Sequence, residues 1–116
     1  SLLLNISQLP NSDTWGSELD VSLTPPGGAE LYVAGAYGVD APVDFIDTVF
    51  DSTCAVAIGD ATETDAPFSA CYQPSDAFDS LVGPLPSGAW VLAVGDYYGS
   101  DGAQLDNWSL ALCVGP

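Results

Sequence analysis

A period-two alternation of apolar residues, repeated in short runs along the chain, limits the folds open to it more than any other feature. Leu2, Leu4 and Ile6 alternate with Leu3, Asn5 and Ser7, and Leu19, Val21 and Leu23 with Asp20, Ser22 and Thr24. Trp90, Leu92 and Val94 alternate with Val91, Ala93 and Gly95, and Trp108, Leu110, Leu112 and Val114 with Ser109, Ala111 and Cys113. Leu31 with Val33, and Val56 with Ile58, are shorter instances. Successive side chains of a strand point to opposite faces, so each set marks one face of a sheet. No window sustains a helical period over three turns; Ser75 to Leu81 has room for a single helical turn. The 9 prolines and 12 glycines oppose long helices and punctuate the runs at short intervals. These patterns predict an all-β chain whose two antiparallel sheets bury their apolar faces against each other. At 116 residues, 47% of them apolar, the chain suits one domain with one core. The segment from Asp44 to Leu81 reads differently: rich in Asp, Thr, Ser, Ala and Pro, it offers one convincing strand and is expected to be irregular and organised by a ligand.

Charge excludes whole classes of function. Sixteen Asp and Glu stand against no Lys, Arg or His, a formal net charge of -16. Nucleic acid and anionic membrane surfaces both require cationic side chains and are excluded as partners. No apolar run reaches the roughly 18 residues of a membrane span, so membrane insertion is not expected. General-base catalysis has no His or Lys to use, and a Ser or Cys nucleophile would lack its base; the chain reads as non-catalytic. Surplus carboxylates attract hard cations with oxygen ligands, which makes calcium the expected cofactor. Asp44, Asp47 and Asp51 form one candidate ligand group, and Asp96, Asp101 and Asp106 a second, around the turn between the last two strands. Their spacing is not an EF-hand, and the same aspartates also suit a role as solvated turn formers and caps.

The chain has neither an initiator Met nor a signal peptide and reads as mature and processed. Its cysteines, Cys54, Cys71 and Cys113, follow neither a zinc nor a Cys-x-x-Cys spacing. An extracellular setting favours one disulfide, with Cys54 to Cys71 the preferred pair because both lie in the irregular middle; three small buried hydrophobes are the alternative. Asn5-Ile6-Ser7 and Asn107-Trp108-Ser109 match the N-glycosylation sequon, making Asn5 and Asn107 candidate acceptors. Trp15, Tyr37, Tyr97 and Tyr98 fall in expected loops, where aromatics pack over their own loops more often than they stack on sugars.

Four stretches then line up in order: Leu19 to Gly28, a strand running into Pro-Pro-Gly-Gly; Phe45 to Asp51; Ala66 to Pro74, followed by Leu81-Val82-Gly83; and Gly88-Ala89-Trp90-Val91-Leu92-Ala93-Val94-Gly95-Asp96 with Leu105-Asp106-Asn107-Trp108-Ser109-Leu110. This order resembles the P-domain of proprotein convertases and secreted bacterial proteases, over roughly residues 15 to 114, with Ala70 where that pattern has a glycine. The resemblance implies a jelly-roll-like β-sandwich with calcium sites in loops, the two aspartate groups meeting at one end, beside a secreted subtilisin-like protease or other hydrolase. Two functions follow: a structural subunit that associates with copies of itself, as a filament or surface layer, and an accessory module of a hydrolase. A carbohydrate-binding module is a third. Leu2, Leu4 and Ile6, in a terminal strand spanning 1–9, are the expected assembly residues. Such a strand sits in its own sandwich or completes a neighbour's sheet.

Overall fold

A computed structural model of the chain describes residues 1–8, 19–35, 44–62, 68–78, 88–96 and 103–111. Among the described residues eight strands run in chain order: β1 (Leu2–Gln8), β2 (Leu19–Thr24), β3 (Leu31–Gly35), β4 (Phe45–Phe50), β5 (Val56–Ala57), β6 (Cys71–Gln73), β7 (Val91–Asp96) and β8 (Ala103–Leu110). They form two sheets, one of five strands in the order β5-β6-β4-β1-β8 and one of three in the order β3-β2-β7. The fold is thus an all-β sandwich. Every pairing of β1 and β2 is antiparallel, whereas β6 runs parallel to both β4 and β5.

The alternating sets lie where their period puts them. Leu2, Leu4 and Ile6 of β1 and Leu19, Val21 and Leu23 of β2 are all buried, together with Val33 and Ala34 of β3. Each such side chain removed from water contributes about 1.5–3 kcal/mol. Trp90, Leu92, Val94, Trp108 and Leu110 share the inward side but are only half-buried, packed against the core rather than within it. The inward placement expected of Trp90 and Trp108 thus holds, with burial that is only partial. Among the described residues β7 and β8 are edge strands, each with one neighbour, and an edge cannot enclose a large ring on all sides.

The segment expected to be irregular holds much of the core. Phe45 and Phe50 of β4, Phe68, and Tyr72 of β6 form one aromatic cluster, with ring centroids 5.3 Å apart for Phe45 and Phe68 and 5.7 Å for Phe68 and Tyr72. Phe45 and Phe50 stand five positions apart, and an odd spacing places two residues on opposite faces of a regular strand. Here one extra residue resets the phase. Leu4 pairs with Thr48 but Ile6 with Phe45, so Ile46 and Asp47 together oppose Asn5. Two residues against one is a β-bulge. Asp47 adopts φ of 46°, the left-handed region that Asp tolerates better than most residues. Phe45, Thr48 and Phe50 consequently face inward while Ile46 and Asp47 both face out. Buried Thr48 donates its hydroxyl to the carbonyl of Phe68.

Residues 68–72 dock alongside β4 through Ile46 N–H to Phe68 O (2.9 Å), Phe68 N–H to Asp44 O (2.9 Å) and Asp51 N–H to Tyr72 O (3.0 Å). The expected strand around Val56 and Ile58 is two residues long, with Ile58 buried in a 3-10 turn and Val56 exposed. Within the span where one helical turn was expected, the Ser75 and Asp76 backbone donates to Val33 O and Tyr32 O at 2.8 Å each, and Phe78 lies in a 3-10 turn. The Asp76 carboxylate also accepts from Tyr32 N–H (2.8 Å), which covers the outer edge of β3. Residues 79–81 of that expectation lie outside the described residues.

Candidate functional site

The bulge that resets β4 also organises the outer face of the five-stranded sheet. β1 meets a second irregularity on its other side. Asn5 pairs with Asn107 and Ile6 with Leu105, so Asp106 is an extra residue in β8 at the same level as Ile46 and Asp47 in β4. Asn5 sits between the two bulges and closes both. Its Nδ2 donates to Asp47 Oδ1 (3.1 Å) and to Asn107 Oδ1 (2.9 Å), while its Oδ1 accepts from the backbone N–H of Asp47 (2.8 Å). A bulge leaves ladder groups without their strand partners, and the carboxamide supplies one. Asp47 is thereby held in its left-handed conformation by the residue opposite. The sequence reading placed Asn5 off the apolar face but missed this role. The signal available was Asn at the middle of an otherwise alternating strand, with Asp47 between aromatic residues of odd spacing.

Four of the six candidate metal residues, Asp44, Asp47, Asp51 and Asp106, have described side chains. Asp44 precedes β4 and is half-buried; Asp47 faces out at the bulge; Asp51 follows β4. Asp51 Oδ1 accepts from Thr53 N–H (2.9 Å) and Thr53 Oγ1 (2.8 Å), a turn-forming arrangement. Those two bonds, the backbone one first, hold its carboxyl below the ordinary value of 3.8; burial opposes them and the α-amino group of Ser1 adds to them weakly. Asp106 accepts from Gln104 Nε2 (2.9 Å). Asp96 ends β7 in the three-stranded sheet, paired with Leu19; its side chain and all of Asp101 lie outside the described residues. Among the described residues no three acidic or sulfur-bearing side chains come close enough to hold a metal ion.

Cys54 and Cys71 form a disulfide, their Cα atoms 5.6 Å apart. It ties the turn after β4 to the start of β6, where Gln73 Nε2 also donates to the Cys54 carbonyl. Cys113 lies outside the described residues, as do Trp15, Tyr37, Tyr97 and Tyr98. On the three-stranded sheet, Ser22 Oγ donates to Glu30 Oε2 (2.8 Å). Glu30, and after it Asp20 and Asp76, push the Tyr32 phenol above its ordinary value by holding negative charge near it. A hollow of about 250 Å³ is lined by Ser52, Gln73, Pro74 and Ala77, which offer no titratable side chain.

No family model, curated protein or solved structure matches the chain.

β1, which carries Asn5, is held by a strand on each side. Leu2, Leu4 and Ile6, the expected assembly residues, are 0–1% exposed within the chain's own sandwich. β1 pairs with β4 on one side and β8 on the other, strands more than 35 residues away in sequence. No described helix is long and apolar enough to cross a membrane.

Proposed function

We propose that the chain is a non-catalytic extracellular structural module that assembles with copies of itself by exchanging β1. The observation that carries this reading is the position of β1, a complete central strand inserted between β4 and β8 and joined to β2 of the opposite sheet by residues 9–18 alone. Among the described residues, β4 and β8 supply the strand pairings of β1, and this slot is chemically the same whichever copy supplies the strand. Ten linking residues reach at most about 33–36 Å when extended, enough to deliver β1 into an adjoining copy. Head-to-tail exchange does not close on itself and yields filaments. The apolar anchors Leu2, Leu4 and Ile6 give each junction very roughly 5–8 kcal/mol of burial before association entropy is subtracted.

Calcium enters this reading through charge. Neighbouring copies at -16 each repel one another, and a divalent cation bridging carboxylates offsets that repulsion better than sodium does. The order of motifs ending in β7 and β8 favours a second reading, an accessory P-domain-like module beside a secreted hydrolase; the same assay separates the two. Size-exclusion chromatography of the full chain with calcium present is expected to show large polymers, and a chain lacking residues 1–9 to remain unpolymerised. A full chain that elutes as a clean monomer at high concentration overturns exchange and leaves the accessory module.

A further inference from the structure

We propose that Asn107 is an N-glycan acceptor of the folded chain and that Asn5, which carries the same sequon, is closed to modification. The inference rests on the extracellular location proposed above, but the argument is chemical. N-glycosylation joins the amide Nδ2 of Asn to C1 of a sugar. The C1–O bond to the activated donor's phosphate breaks, that oxygen keeps the electron pair, and Nδ2 gives up one of its two protons to a base on the transferase. An acceptor must therefore present Nδ2 to solvent and spare one N–H.

Asn5 does neither. It lies on β1, an interior strand between β4 and β8, and its two N–H groups are both committed, to Asp47 Oδ1 and Asn107 Oδ1. Modification would remove one of them and insert a sugar where the two bulges meet. Asn107 stands at the other end of the same bond with the opposite chemistry. Its Oδ1 accepts from Asn5, and a glycosylated asparagine keeps that oxygen; its Nδ2 has no partner among the described residues. Asn107 is exposed on β8, the edge strand among the described residues, and Ser109 of the sequon is exposed two residues on. Residues i and i+2 of a strand share a face, so the acceptor amide and the hydroxyl that the transferase reads are presented together, while Trp108 turns toward the core. A sugar there leaves the Asn5 cluster intact and shields an edge strand from pairing with unrelated chains.

The test uses the full chain in two settings. The purified folded chain is incubated with a soluble N-glycosyltransferase and a nucleotide-activated hexose, and sites are read by peptide mapping. The same map is made of the chain secreted from a host that transfers lipid-linked oligosaccharide. Sugar on Asn107 with Asn5 bare in the folded material of both settings is the expected result. Ser109→Ala, which leaves the bond between Asn5 and Asn107 in place, should abolish the modification without a change in melting temperature. Sugar on Asn5 of the folded chain, or a bare Asn107 in both settings, overturns the proposal. Sugar on the purified chain together with failure of the host to export it counts against the extracellular reading and leaves Asn107 as the acceptor.

Discussion

Removing the Asn5 carboxamide tests the structure where it is least ordinary. Asn5→Ala deletes three hydrogen bonds: one to the Asp47 carboxylate, one to Asn107 Oδ1, and one from the Asp47 backbone N–H. A neutral bond contributes about 0.5–1.5 kcal/mol net and one to a charged group about 1.5–3 kcal/mol. The cluster lies on the outer face, where water replaces lost partners, so the lower ends apply and the sum is roughly 2–3 kcal/mol. The left-handed conformation of Asp47 (φ 46°) also loses its support, and that conformation costs roughly 1–2 kcal/mol for a residue with a Cβ. At about 0.05–0.15 kcal/mol per residue, total stability for 116 residues is roughly 6–17 kcal/mol. The substitution should therefore be plain in a urea titration followed by tryptophan fluorescence at fixed ionic strength. The decisive quantity is the coupling in a double-mutant cycle with Asp47→Gly, which relieves the backbone of its positive-φ penalty. A coupling of about 1–2 kcal/mol is expected, because a glycine at the bulge adopts positive φ without the bond from Asn5. Additivity within about 0.3–0.5 kcal/mol, the behaviour of independent sites, would refute the view that Asn5 holds the bulge.

Other measurements follow from the same geometry. Phe68→Ala, at a fully buried position, should cost about 3–5 kcal/mol; Trp90→Ala and Trp108→Ala, at half-buried edge positions, should each cost less, and equal losses would show that the edge strands are covered. The Asp51 carboxyl is held low chiefly by Thr53, so its contribution to stability is complete above the ordinary carboxylate pKa and is lost as pH falls through the depressed value. Thr53→Ala should move the Asp51 titration upward in a carboxyl-resolved NMR experiment. Non-reducing peptide maps should join Cys54 to Cys71, whose sequence separation is 17, and reduction should cost about 3 kcal/mol on the chain-entropy model; trypsin finds no site here, so the digest needs an acid- or aromatic-specific protease. Melting temperature should rise in calcium chloride beyond its rise in sodium chloride of equal ionic strength, whereas equal rises would reduce calcium's part to screening.

What could be read from the sequence was local in origin. The alternation of Leu19, Val21 and Leu23, or of Leu2, Leu4 and Ile6, is a property of neighbours two apart, because a strand turns its side chains by half a revolution per residue. It identified strands and their buried faces without any knowledge of partners. β4 escaped this reading because its phase is broken inside the strand. The extra residue at Ile46–Asp47 has meaning only opposite Asn5, a residue some 40 positions away. That pairing turned an apparently irregular stretch into the strand carrying Phe45 and Phe50. The parallel docking of β6 and the half-burial of Trp90 and Trp108 depended on the meeting of distant strands as well. So did the unequal hydrogen bonding of the two sequon amides, since one was placed on an interior strand and the other on a strand with one described neighbour. Periodicity is written into adjacent residues; register, bulges and edges arise only when distant strands meet, and they decide which polar side chains commit their hydrogen bonds to the fold and which remain for the surroundings.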